Sequence, residues 1–173
     1  VLRVGKATQI RLRIINGSAA SNMWIDLGAL QGELIAVDGN AVFPLKGSVF
    51  PLAIAQRADI RVKLPEGSGA WPVLFRPEGL GARTGIYLAT QGAEIAKLPR
   101  EGEVAPEVNL AQEMKLRSVA VLPSEPVTRT EILALTGGGP DYLWGLNGKS
   151  SMHDTVFTVR ENERIEVIMQ NQT

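Results

Sequence analysis

The chain has 173 residues, of which 45% are hydrophobic, with eighteen basic and eighteen acidic side chains and no cysteine. The cancelled charge excludes the net basic footprint that a nucleic-acid surface needs, and the missing cysteines exclude disulfides, thiolate metal ligands and a cysteine nucleophile. No apolar run reaches the ~18 residues of a membrane span, and a chain of this length buries enough surface to fold without a covalent or metal staple.

Taken in chain order, period-two alternation dominates. Over residues 9–14, Ile10, Leu12 and Ile14 fall on one face and Arg11 and Arg13 on the other. Over 59–64, Ile60, Val62 and Leu64 alternate with Asp59, Arg61 and Lys63. Over 164–169, Ile165, Val167 and Met169 alternate with Arg164, Glu166 and Ile168. This is the pattern of antiparallel strands with one buried and one wetted face. Further strands are expected at 23–27, 33–37, 49–55, 71–75, 84–89 and 130–135. Asp38-Gly39-Asn40 reads as a tight hairpin, and 65–69 and 137–140 read as loops. One helix is expected, at 108–117. Between 92 and 126 four prolines (Pro99, Pro106, Pro123 and Pro126) interrupt the alternation, and this stretch reads as a surface connection between domains.

An internal repeat organises the chain. Residues 2–18, LRVGKATQIRLRIINGS, align without gaps on 157–173, FTVRENERIEVIMQNQT, at an offset of 155. Val4 matches Val159, Ile10 matches Ile165, Leu12 matches Val167 and Ile14 matches Met169. Asn16 and Ser18 match Asn171 and Thr173, so both copies close on Asn-x-Ser/Thr after strands of equal length. The expected organisation is one domain over 1–91, a linker over 92–126, and the opening strands of a second, similar domain over 127–173.

With those residues in view the sequence resembles the bacterial multicopper oxidases. RLRIINGSAASNMWIDLG, GELIAVDGNAVFP and FPLAIAQRADIRVKLP are similar to the middle cupredoxin domain of that family. YLWGLNG followed by FTVRENERIEVIMQNQT is similar to the start of its third. The resemblance implies an all-β, cupredoxin-like Greek-key antiparallel β-sandwich. It implies a longer parent that oxidises a metal ion or phenolic substrate one electron at a time and reduces dioxygen to water on copper. The family's ligands are His-x-His pairs in the first domain and His-x-x-His-x-His and His-Cys-His motifs in the third, and none lies in a middle domain. The expectation is therefore a copper-free scaffold segment of a periplasmic or exported oxidase, partnered by the flanking cupredoxin domains of its own chain. No catalytic, cofactor-binding or metal-binding residue is assigned to the segment.

The residues themselves agree. A blue-copper site needs two imidazoles and a thiolate, and the sequence has one histidine and no cysteine. His153 beside Met152 reads as an exposed loop histidine. Ser150, Ser151, His153 and Asp154 lack the Gly-x-Ser-x-Gly elbow of a hydrolase. Gly137-Gly138-Gly139 is followed by no Lys-Ser/Thr and reads as a flexible turn, not a phosphate loop. Asn16-Gly17-Ser18 and Asn171-Gln172-Thr173 fit a glycosylation pattern and read instead as strand ends closed by side-chain bonds to backbone. Arg57 and Asp59 read as a cross-strand polar network. Trp24, Trp71 and Trp144 read as packing residues rather than a sugar-stacking platform. Two other functions stay open at this point: a non-catalytic cupredoxin-repeat protein of the cell envelope or division machinery, and a carbohydrate-binding β-sandwich module. Unpaired strand edges are also expected, with residues 127–173 docking on the first domain or exchanging between two chains to form a homodimer.

Overall fold

A computed structural model describes residues 1–121, 123–150 and 153–173. The chain forms two compact units, Val1–Val121 and Leu122–Thr173. Among the described residues no helix is long and apolar enough to cross a membrane.

The first unit holds nine strands: β1 (Leu2–Arg3), β2 (Gln9–Ile15), β3 (Met23–Asp26), β4 (Gly32–Val37), β5 (Asn40–Gly47), β6 (Val49–Leu52), β7 (Arg57–Lys63), β8 (Ala70–Pro77) and β9 (Thr84–Ala89). They form a four-stranded sheet in the order β2-β7-β4-β5 and a five-stranded sheet in the order β1-β9-β8-β3-β6. The pleat sorts side chains by parity. In β7, Ala58, Ile60 and Val62 are buried while Arg57 and Lys63 are exposed. Leu12 of β2 and Leu34 of β4 join them. Ile25, Phe50, Leu52, Val73 and Leu88 of the five-stranded sheet complete the same cluster. Gly32 sits where the packing is closest. A Cβ there would stand 2.6 Å from Leu27 Cδ1 and 2.7 Å from Ile60 Cγ2.

The expected hairpin forms at Asp38-Gly39. Both residues take positive φ, 51° and 89°, the geometry of the turn that matches right-handed strand twist. Beyond it, β5 was not among the expected strands; Pro44 and an exposed Phe43 mask its alternation. The strand expected over 49–55 stops at Leu52, because the chain turns there and Ala55 takes a φ of 64°. The pairing is also not purely antiparallel. β1 runs parallel to β9, with Leu2 opposite Leu88 and Arg3 opposite Ala89.

The helix expected over 108–117 is a correction: only a 3-10 turn, Glu113–Lys115, forms, and none of its residues is buried. Without an apolar face against the core a helix this short has little to hold it. The stretch 92–121 instead bonds to the surface of the first unit. Arg83 N donates to Arg100 O at 2.9 Å, Gly102 N to Gly81 O at 2.9 Å and Gly79 N to Ala105 O at 2.8 Å. Glu78 accepts from Asn22 Nδ2 and from Val108 N, each at 2.8 Å. Phe43 N donates to Arg117 O and Val119 N to Ala41 O, which covers the outer edge of β5.

The second unit holds β10 (Arg129–Gly138), β11 (Leu143–Leu146) and β12 (Ile165–Asn171) in the order β11-β10-β12. β10 pairs antiparallel with β11 and parallel with β12, from Arg129 opposite Ile165 to Leu135 opposite Asn171. At its base Arg129 Nε donates to Glu163 Oε1 at 2.7 Å, and Arg160 N donates to Glu163 Oε2 at 2.9 Å.

The repeat is visible in three dimensions. β2 and β12 fall within one residue of the 155 offset. The turn before each carries a non-glycine residue of positive φ, Ala7 at 53° and Asn162 at 63°. The asparagine closing each strand does the same work: Asn16 Oδ1 accepts from Ser18 N, and Asn171 Oδ1 from Thr173 N, both at 3.1 Å. Asn16 is buried, and its Nδ2 also donates to Ser21 O at 2.9 Å and Leu52 O at 3.1 Å. Its amide is thus committed to tying β2, β6 and the 18–21 loop together.

Two outcomes follow from these contacts. Asn16→Asp keeps the acceptor but loses both donors, leaving the Ser21 and Leu52 carbonyls unpaired beside a charge. At about 1–3 kcal/mol for each unsatisfied group, the first unit is expected to lose roughly 2–4 kcal/mol in urea unfolding followed by tryptophan fluorescence. A loss under about 0.5 kcal/mol, the ordinary scale of surface substitutions, would refute that role. In the second unit the hydrogen bond from Arg129, joined by the Arg160 amide, holds the Glu163 carboxyl below its ordinary value. Its folded pKa lies below the unfolded one, so the stabilisation is present above the usual glutamate range and is lost as pH falls through the lowered value. Glu163→Gln is expected to flatten this acid dependence in unfolding monitored at Trp144, the tryptophan of that unit. An unchanged acid limb would exclude the pair as its source.

Candidate functional site

Among the described residues, those with metal-binding chemistry do not converge. His153 and Asp154 are exposed, and so is Ser150. Met152 and Ser151, the other members of that cluster in the sequence, lie outside the described residues. Among the described residues no three His, Cys, Asp or Glu side chains are grouped to hold a metal ion. The donor set of a copper centre can be tested against the chain directly. One imidazole and no thiolate do not supply the two imidazoles and thiolate of a blue-copper site. Nor do they supply three ligands of a His/Cys zinc site.

Arg57 and Asp59 have separate partners. Arg57 Nη2 donates to Asp38 O at 2.9 Å, and its backbone N to Asp38 Oδ1 at 2.8 Å. Asp59 accepts from Arg11 Nε at 3.0 Å, with Arg13 Nε 3.6 Å away. Glu33 and Arg61 pair beside them at 2.6 Å. These residues form a ladder of ion pairs on the solvent face of the four-stranded sheet, where each pair contributes about 0–1 kcal/mol.

The glycine run is a correction to the turn reading. Gly137 and Gly138 belong to the end of β10 and pair with Trp144 and Leu143 of β11. Gly137 takes a φ of 102°, and a Cβ on it would lie 1.9 Å from Leu143 O. Glycine is required there by strand approach, and only Gly139 lies in the turn itself.

The two tryptophans of the sandwich do not line up. Trp24 pairs with Arg76 across β3 and β8, so it shares a face with Arg76, while Trp71, an odd number of residues away, points to the other. Trp71 packs on the core, and Trp24 Nε1 donates to Pro106 O at 2.8 Å. Trp144 lies in the other unit, half exposed. A sugar-stacking platform is not formed by the two tryptophans of the sandwich.

Two features escaped sequence reading. Glu78, which anchors the 105–108 segment through Val108, carries no motif. The other is an open apolar groove of about 400 Å³ beside β2, bordered by Ile14, Ile15, Met23, Phe75 and Ile86.

Residues 1–96 match the family model described as multicopper oxidase. The chain is similar to the multicopper oxidase MmcO of Mycobacterium tuberculosis, with 26% identity over 167 residues, 95% of this chain and 32% of that protein. It thus spans about a third of the length of this curated relative. A laccase mutant from B. aclada superposes with a TM-score of 0.64 at 19% identity, covering 85% of this chain and 29% of that one. Fet3p, described as a multicopper oxidase that functions in iron import, superposes with a TM-score of 0.61 at 15% identity, covering 78% and 27%. The sandwich therefore has the cupredoxin fold of these enzymes, and the chain belongs to the multicopper oxidase family.

Proposed function

We propose that the chain is the copper-free scaffold segment of a longer, exported oxidase. That enzyme couples one-electron oxidation of its substrate to reduction of dioxygen to water. The observation that carries this reading is the combination of family membership with a ligand inventory of one histidine and no cysteine. The segment's role is to hold the flanking cupredoxin domains at the spacing their shared copper cluster needs. Copper, substrate and oxygen chemistry belong to those flanking domains. The sandwich supplies a packed block in which side chains such as Arg61, Glu33 and Asn16 are engaged in ion pairs and strand closure.

Equilibration with a copper salt, dialysis and elemental analysis test the reading on this chain. The expected result is well under one copper per chain and no intense blue absorption. One firmly held copper with that absorption would overturn it. In the longer protein, His153→Ala is expected to leave copper content and turnover nearly unchanged. A loss of about a hundredfold, or ~2.7 kcal/mol of transition-state stabilisation, would place His153 in the machinery.

A further inference from the structure

Another groove of about 400 Å³ opens on the outer face of the five-stranded sheet, between β9 and residues 95–100. Leu74 of β8 and Gly85 of β9 stand opposite each other there. They lie on the side away from the core, because their neighbour Val73 points into it. Tyr87 extends the floor on the same face, and Leu98 and Pro99 form the facing wall. The 95–100 segment is tied over the sheet at two places. Tyr87 Oη donates to Ala96 O at 2.6 Å. Arg83 donates twice, from Nε to Pro99 O at 2.8 Å and from N to Arg100 O at 2.9 Å. Lys97 and Leu98 span the interval between these anchors, so the groove is held open by bonds that need no ligand.

The charges around this groove have one sign. Arg83, Lys97 and Arg100 line it, and no acidic residue does. Glu94 and Glu101 flank the segment in the sequence but lie outside the lining. Among the described residues the Lys97 and Arg100 side chains form no hydrogen bond or ion pair. On the charged face of the other sheet, by contrast, Arg61 is already answered by Glu33. Leu98 and Ile86, which also line the groove, keep apolar surface exposed. An apolar trough rimmed by unanswered cations is complementary to a ligand with an apolar body and one negative head. We infer that the groove is a binding site for a small amphipathic organic anion. Its body lies along Leu74, Tyr87 and Leu98, and its head lies among Arg83, Lys97 and Arg100. The volume is that of a small-molecule site. Removal of apolar surface from water supplies the attraction. The cations select the sign, and Arg83, whose Nε is taken by Pro99 O, keeps its Nη donors for a carboxylate. Copper has no part in this site, so the inference stands apart from the scaffold reading.

The test is titration of the full chain with sodium 2-naphthoate, followed residue by residue through its amide resonances. The expected dissociation constant is about 1 mM or tighter, with the largest shifts at Gly85, Tyr87, Leu98 and Arg100. Naphthalene-2-methanol carries the same rings without the charge and is expected to bind about tenfold more weakly or worse. The double variant Lys97→Glu, Arg100→Glu reverses two of the three rim charges. It is expected to weaken naphthoate binding by about tenfold or more and to leave the alcohol unaffected. Its amide spectrum reports whether it folds, and Lys97→Glu alone serves if it does not. Decanoate in place of naphthoate tells a chain-like body from a ring, and the tighter of the two names the ligand's build. Equal affinity for naphthoate and the alcohol would overturn the inference, since the groove would then be a plain apolar patch. So would unchanged naphthoate affinity in the charge-reversed chain, or no saturation below about 10 mM. Shifts centred on Arg13, Ile14 and Met23 would also overturn it, because they would place the ligand in the groove beside β2.

Discussion

The first unit depends on one apolar seam, the contact between β7 and the facing sheet. Ile60 and Val62 have no exposed surface and meet Ile25, Val73 and Leu88, which are equally buried. At roughly 25 cal/mol per Å² of apolar surface removed from water, this seam dominates the favourable side of folding. Everything else is placed by it. The pleat that turns Ile60 and Val62 inward turns Arg57, Asp59, Arg61 and Lys63 outward, and the charged ladder on the solvent face is the consequence. Gly32 is the condition for the two layers to close, because Leu27 and Ile60 occupy the space its side chain would take.

Polar groups finish what the seam begins. A buried carbonyl without a donor costs more than a formed bond contributes, so strand ends need dedicated partners. Asn16 supplies three bonds at one such end, and Asn171 repeats one of them at the equivalent end of the second unit. The left-handed turns at Ala7 and Asn162 set the approach to both strands. The same local device thus appears twice, although the sheets around it differ in their described partners. β2 is held by β7, and β12 by β10.

These features bear on function by subtraction. Several charged side chains of the sandwich are engaged in pairs, such as Arg61 with Glu33 and Arg76 with Asp26. Its asparagines and Glu78 hold loops. This is the arrangement from which the proposed scaffold role is argued. The second unit carries the opposite character. Ile132, Leu143, Trp144, Ile168 and Met169 are exposed on a sheet of three described strands, which is the minimum for a stable sheet and needs a covered face.

The sequence by itself determined most of the strands, the buried parity of β2 and β7, the Asp38-Gly39 hairpin and the repeat, and it contains one histidine and no cysteine; the alternation of β12 is present but its Val167 and Met169 are exposed. Each of these is local or a matter of composition. Alternation fixes which side chains share a face, and ligands that are not in the sequence cannot be folded into place. Only the tertiary structure decided the neighbours. The parallel pairing of β1 with β9, the choice of a 3-10 turn over a helix near Glu113, and the strand role of Gly137 and Gly138 depend on contacts remote in sequence. Pro44 and Phe43 hid β5 because its outward face is not polar, and the anchoring of Val108 by Glu78 joins residues 30 apart with no motif between them.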